Sequence, residues 1–223
     1  MTVRPAAASV VLGLALAVGA PTAWALSRPD AAAGPPVDQV LERPADPTTA
    51  PPASTLPEVS VRDAAPTVAP EIAPPARLEV PGLGVTAPVD PMGIAGDGQM
   101  ALPEDVDRVG WYRFGPEPGA AGNSVIAGHV DDREQGPGAL FPLRTAEPGE
   151  EIAVTDAAGG TTRWRVVSRE VVEKDVLPLD EIFRRDGPPR LVVITCGGPF
   201  LPEFRSYRDN VVVVAEPVGG TTP

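Results

Sequence analysis

The pattern of hydrophobic and polar positions divides the chain into three textures. Ala6 to Leu26 reads AAASVVLGLALAVGAPTAWAL, 21 residues without a charge, with Arg4 ahead and Arg28 and Asp30 behind. A terminal segment that is apolar on every face is not an amphipathic core helix. At ~1.5 Å per residue it just spans a bilayer core of about 30 Å. The positive charge ahead of it keeps the start cytoplasmic and sends the rest outside. The run length fits a retained signal anchor. Pro21 and the small-x-small triplet Ala23-Trp24-Ala25 fit a cleaved signal peptide instead.

Ser27 to Ala76 has no usable periodicity. It holds 12 prolines, seven acids and three arginines in 50 residues, and no aromatic. Such a stretch buries too little apolar surface to offset the entropy of ordering. It reads as a disordered, partly polyproline II spacer reaching on the order of 100 Å at ~3.1 Å per residue.

From Arg77 onward, short Val- and Ile-rich runs are broken by Pro-Gly, Gly-Gly and Asp-Gly pairs. The runs predict strands over Arg77–Val80, Val85–Val89, Ser124–Ala127, Glu151–Thr155, Thr162–Glu173, Leu191–Thr195 and Asn210–Ala215. Helical spacing is scarce, and Ala139–Leu143 and Leu179–Arg184 each fit one short helix. Seven or eight short strands predict a mainly β domain, an antiparallel-dominated sandwich or closed barrel. The plan is therefore a leader over 1–26, a linker over 27–76, a folded domain over 77–217 and a tail over 218–223.

Composition supports this division. The 30 Pro and 23 Gly of 223 residues approach a low-complexity chain, yet 43% of positions are hydrophobic. The aromatics reconcile the two: apart from Trp24, all lie between Trp111 and Tyr207. The net charge is −12, and Arg77 to Pro217 carries 14 basic against 23 acidic residues. Without clustered cations a phosphate backbone has no counterpart, so nucleic acid is excluded as a partner.

Chemistry narrows further. The chain has one cysteine, Cys196, and one histidine, His129. An intramolecular disulfide and a Cys/His zinc site are both excluded. Cys196 follows the strand-like Leu191–Thr195 and precedes Gly197-Gly198, two glycines that allow a substrate backbone to come close. The plain alternative is a buried structural cysteine. Against it, an unpaired thiol in an exported protein is an oxidation liability unless it is used. His129 follows Ser124–Ala127 and Gly128 in the same manner, although a lone histidine is often only a surface group. A thiolate nucleophile with an imidazole acid/base needs a third group to stabilise a tetrahedral intermediate. Arg208, just ahead of Asn210–Ala215, is the candidate, and Arg205 is its competitor.

These residues resemble a known family. Pro118-Gly119-Ala120-Ala121-Gly122-Asn123-Ser124-Val125-Ile126-Ala127-Gly128-His129 is similar to the segment leading to the catalytic histidine of sortases. Thr195-Cys196 resembles the end of the sortase TLxTC signature, with Val192 and Val193 in place of its Thr and Leu. Tyr207-Arg208-Asp209-Asn210-Val211-Val212 resembles the strand bearing that family's arginine. The likeness covers about Ala76 to Glu216, including Gly110-Trp111-Tyr112. Cys-Gly-Gly and the proline-rich leader are most similar to actinobacterial class F sortases.

The resemblance implies an eight-stranded β-barrel with one or two short helices and a cysteine transpeptidase. Cys196 would attack the Thr carbonyl of an LPXTG-like sorting signal to form a thioacyl enzyme. His129 would serve as acid and base, Arg208 would hold the oxyanion or the peptide, and Thr195 would be a substrate-binding residue supporting the site from beside the nucleophile. No cofactor or metal is implied. The implied partners are exported proteins bearing the signal, an amine acceptor such as a cell-wall precursor, and the membrane. Two other readings differ in testable ways. An L,D-transpeptidase-like acyltransferase acting on peptidoglycan peptides normally brings a second histidine, and a tethered binding module would carry an unreactive Cys196.

Overall fold

The computed structural model describes residues 30–42 and 73–219. The apolar leader Ala6–Leu26 and residues 43–72 of the proline-rich stretch lie outside the described residues.

A two-residue strand β1 (Ala32–Ala33) leads into a short helix α1 (Val37–Glu42). Then come β2 (Pro75–Val80), β3 (Val85–Met92), β4 (Val109–Tyr112) and β5 (Asn123–Ala127). A small hairpin, β6 (Asp131–Asp132) and β7 (Gly136–Pro137), follows, and a 3-10 turn at Phe141–Thr145 takes the place of the helix expected at Ala139–Leu143. Next are β8 (Glu151–Asp156), β9 (Thr161–Glu173) and α2 (Leu179–Ile182), within the second expected helix. Two long strands, β10 (Arg190–Leu201) and β11 (Ser206–Pro217), complete the domain.

The strands run in the order β9-β11-β10-β5-β4-β3-β2-β8, and β8 pairs back onto β9. Eight strands therefore close into a barrel, with no edge left between them. The expected closed barrel is present, but it is mixed: β3–β4 and β5–β10 are parallel, and the other barrel pairs are antiparallel.

Strand alternation sorts the core. Along β11, Val211, Val213 and Ala215 point inward, beside Leu78, Ile126, Trp164, Leu191 and Val193. Val212 and Val214 point outward into a second cluster with Val125, Val192, Ile182, Val37, Val40 and Leu41. The sheet β5-β10-β11 is thus apolar on both faces, which is why its segments read as unbroken hydrophobic runs.

What covers its outer face corrects the spacer expectation. Residues 32–42 are ordered: β1 pairs with β9, and Val37, Val40 and Leu41 of α1 are fully buried. The spacing i, i+3, i+4 puts all three on one side of one helical turn. Ser168 Oγ donates to the Pro35 carbonyl at 2.6 Å, and the Val37 amide donates to Glu170 Oε2 at 2.8 Å. Arg184 and Arg190 both donate to the Leu41 carbonyl, at 3.1 and 3.2 Å, satisfying the end of the helix. Gly34 has φ 87° and sits against the Val167 carbonyl, so a side chain there would collide with β9. Among the described residues no helix is long and apolar enough to cross a membrane.

Candidate active site

Cys196 stands in β10 opposite Asn210 of β11, immediately before a register shift between Gly197 and Phe200. Val192 and Ile194 on the same strand belong to the outer cluster, so alternation places Cys196 on the outer face, where it is half-buried. The two glycines after it have a structural cause. A Cβ on Gly197 would lie 2.7 Å from Val211 Cγ2, and Gly198 has φ 70° with Asp209 pressed against it. Close packing on β11 therefore requires glycine at both positions.

His129 is brought alongside by the parallel pairing of β5 and β10, in which Ala127 sits beside Ile194. Beyond the strand end the Gly128 amide donates to the Ile194 carbonyl at 3.1 Å. Thr195 Oγ1 donates to the Gly128 carbonyl at 2.8 Å. The next residue after Gly128 is His129, and after Thr195 it is Cys196. The buried Thr195 hydroxyl is thus committed to holding the two strand ends together. Among the described residues the hydrogen-bond partner of the imidazole is the Pro103 carbonyl, 3.1 Å from Nε2. A carbonyl only accepts, so the neutral ring carries its proton on Nε2 and keeps the Nδ1 lone pair available.

Arg208 lies two residues before Asn210 on β11, on the same face as Cys196 by alternation. Its guanidinium grips Asp209 through Nε–Oδ1 at 2.6 Å and Nη2–Oδ2 at 3.0 Å, with Glu173 at 3.7 Å. The hydrogen bond to Asp209, above all, raises its pKa further. Arg205 is exposed in the turn between β10 and β11, with φ 50°.

A groove of about 680 Å³ passes over the thiol. Its floor is Ala127, Gly128, Ile194, Thr195, Cys196 and Asn210. One wall is the segment after β3, through Ile94, Met100 and Leu102. The other is the segment around α2, through Lys174, Leu177, Ile182 and Phe183. Tyr112 closes against Phe183, edge to face at 5.0 Å. His129 and Arg208 adjoin this floor without being part of its lining. A second cavity of about 460 Å³, beside Val85, Pro88, Asp107 and Phe141, contains none of the candidate residues.

Several charges act on the thiol. Burial pushes the Cys196 pKa up, the positive charge of Lys174 pulls it down, and Asp131 pushes it up. Tyr207 donates its hydroxyl to Asp131 Oδ2 at 2.6 Å, which pushes the phenol up to about 12. Lys174 Nζ also donates to Ser206 Oγ at 2.7 Å. Sequence reasoning missed Lys174, although one signal was available: it is the single lysine beside 17 arginines. Among the described residues, no cluster of His, Cys, Asp or Glu is arranged to hold a metal ion.

A family model of the sortase domain matches residues 78–218, more than half of the chain. The chain belongs to the sortase family. Solved sortases share its fold at low sequence identity. The lid mutant of sortase A from Corynebacterium diphtheriae aligns with a TM-score of 0.51 at 18% identity, covering 70% of this chain and 76% of that one. Sortase C1 from Streptococcus suis aligns with a TM-score of 0.51 at 15% identity, covering 67% and 76%. A search of curated protein sequences finds no match. Sortases are generally cysteine transpeptidases that act outside the cytoplasm.

Proposed function

We propose that this sortase cleaves an LPXTG-like sorting signal and transfers the acyl fragment to an amine acceptor, anchoring exported proteins to the cell wall. Cys196 is the nucleophile: its thiol proton passes to His129 Nδ1, Sγ attacks the Thr carbonyl carbon, and the carbonyl oxygen becomes an oxyanion. His129 then gives that proton to the leaving amine, the C–N bond breaks and a thioacyl enzyme remains. The incoming amine loses its proton to His129 as it attacks, and the thiolate leaves. Arg208 faces the oxyanion or the peptide carbonyls. A guanidinium has five N–H donors, and its pairing with Asp209 uses two, so the carboxylate can orient the group without consuming it. Thr195 acts by position, holding the strand ends that bear the other two.

The observation that carries this reading is the junction of β5 and β10. Two hydrogen bonds lock Gly128 to Ile194 and Thr195, and His129 and Cys196 are the next residues on each side, with Cys196 in the floor of a largely apolar groove. The departure from TLxTC and the Cys-Gly-Gly sequence favour class F within the family. The apolar Ala6–Leu26 fits an anchor that holds the enzyme on the outer membrane face, where exported proteins and wall precursors meet. Mass spectrometry after incubation with LPXTG-like peptides, with and without an amine, tests the chemistry. A mass increase equal to the acyl fragment is expected on the protein, discharged by the amine. Cys196→Ala should form no adduct and have no turnover, and residual turnover in that variant would exclude the mechanism.

A further inference from the structure

We propose that Lys174 is the counter-cation of the Cys196 thiolate: the thiol gives its proton to His129 Nδ1, and the Lys174 ammonium, which takes no proton itself, stabilises the anion left on sulfur, so that the thiolate is not held by His129 alone. This rests on Cys196 being the nucleophile.

Strand register supplies the geometry. Asn210 pairs with Cys196 on one side and with Val172 of β9 on the other, forming a row across three strands. Val172 faces the outer cluster, and Lys174 is two residues further on, just past the end of β9. The β9 and β10 backbones are separated by two strand spacings, about 9.5 Å, a gap that a four-carbon stem bridges in part. Lys174 and Cys196 line the same groove. The Ser206 hydroxyl accepts from Nζ at 2.7 Å and fixes the end of an otherwise mobile side chain.

Of the other charged or titratable groups near the thiol, Arg208, Asp131 and His129 are already engaged. Arg208 is bound to Asp209 and lies near Glu173, so its charge is largely compensated locally. Asp131, the anion that opposes thiolate formation, accepts from Tyr207 at 2.6 Å. His129 has Nε2 on Pro103. Asp175 also lines the groove. Among the described residues Lys174 has no carboxylate within ion-pair distance. Its positive charge is therefore the one left to act on sulfur, in a half-buried site where burial otherwise disfavours the thiolate.

Alkylation of the full-length protein reads this directly, because Cys196 is its single thiol. The rate with neutral iodoacetamide is measured against pH in the wild type, Lys174→Met, Lys174→Arg and His129→Ala. Lys174→Met should raise the midpoint by a unit or more, slowing alkylation about tenfold on the acid limb, where rate follows thiolate fraction. Lys174→Arg should restore most of the loss, and His129→Ala should shift the midpoint less than Lys174→Met. Thermal melts establish that the variants are folded. A measurement on the wild type alone stands beside this. Anionic iodoacetate should react faster relative to iodoacetamide than it does with a free cysteine peptide, and the excess should fade in high salt. Superimposed curves for wild type and a folded Lys174→Met, or iodoacetate disfavoured in the wild type, would overturn the pairing. A shifted midpoint without any acyl adduct from peptide would instead refute the transpeptidase reading and leave the pair intact.

Discussion

Arg208 and Arg205 carry the same charge three residues apart, and they differ in how firmly they are held. Arg208 lies on β11 with a bidentate carboxylate partner, whereas Arg205 sits in a turn with φ 50°. A donor that stabilises a transition state must be fixed before the reaction. Arg208→Ala should therefore lower kcat by about 10²–10³, and Arg208→Lys should not restore it, because lysine lacks the planar fork. Arg205→Ala should leave kcat within a few fold and act on KM if it acts at all. Steady-state kinetics on the three variants checks this, and an inactive Arg205→Ala with a normal Arg208→Ala would reverse the assignment. Thr195 is a second case at this scale. Thr195→Val removes the donor to a carbonyl at a buried junction, for about 1–3 kcal/mol of stability. It should also depress kcat more than it raises KM, because the bond sets the spacing of the strand ends bearing His129 and Cys196. Thr195→Ser keeps the donor and should keep both melting temperature and kcat close to wild type.

Between single residues and the barrel stands α1. Leu41 is fully buried against the outer face of β5-β10-β11, the face that carries Cys196 a few residues along. Leu41→Ala should cost about 2–4 kcal/mol, and a domain of this size loses roughly 2–4 °C of Tm per kcal/mol. Calorimetry reads the loss, and an unchanged melt would mean that the helix contributes nothing to stability. This element was present in the sequence and still hard to see. Val37, Val40 and Leu41 have helical spacing, but one turn among twelve prolines is outweighed by its surroundings. The stronger clue lay elsewhere: Leu191–Ile194 and Val211–Ala215 are apolar at consecutive positions, which requires a cover on both faces. The strands with long Val and Ile runs were legible for the same reason. β4 was not, since four residues, Val109–Tyr112, give too short a pattern to separate from a loop. Gly197-Gly198 read as the end of β10, whereas the strand continues through a bulge to Leu201. Cys196 and His129 were legible as candidates because each is unique in the chain, and Lys174 was not, because its proposed partner lies two strands away.

At the scale of the molecule, the proposed site is assembled only when the barrel is closed. His129 follows β5, Lys174 follows β9, and Cys196 and Arg208 lie on β10 and β11, so non-local pairings assemble every member. The docking of β1 and α1 adds a condition on where the folded unit begins. A chain starting at Ser27 keeps this strap whether Ala6–Leu26 is an anchor or is removed after Ala25. It should match the full-length protein in Tm and in kcat with soluble peptides, but lose membrane association. The full-length protein should stay with membranes after a high-salt wash and keep its original N-terminus, as a retained anchor requires. A mature protein beginning at Leu26 and released into the medium would show cleavage instead. A chain starting at Ala73 keeps all eight barrel strands yet uncovers Val125, Val192, Val212, Val214 and Ile182 on the outer face. A contiguous apolar surface of that kind favours association and dye binding. This shortened chain should melt at least about 5 °C lower, since removing the buried Val37, Val40 and Leu41 exceeds the cost of one truncated core side chain. Its kcat should fall as well, because α2, which walls the groove over Cys196, rests on α1 through Ile182. Equal melting temperature and turnover for the chains starting at Ser27 and Ala73 would show that the strap is dispensable and that residues 73–223 suffice.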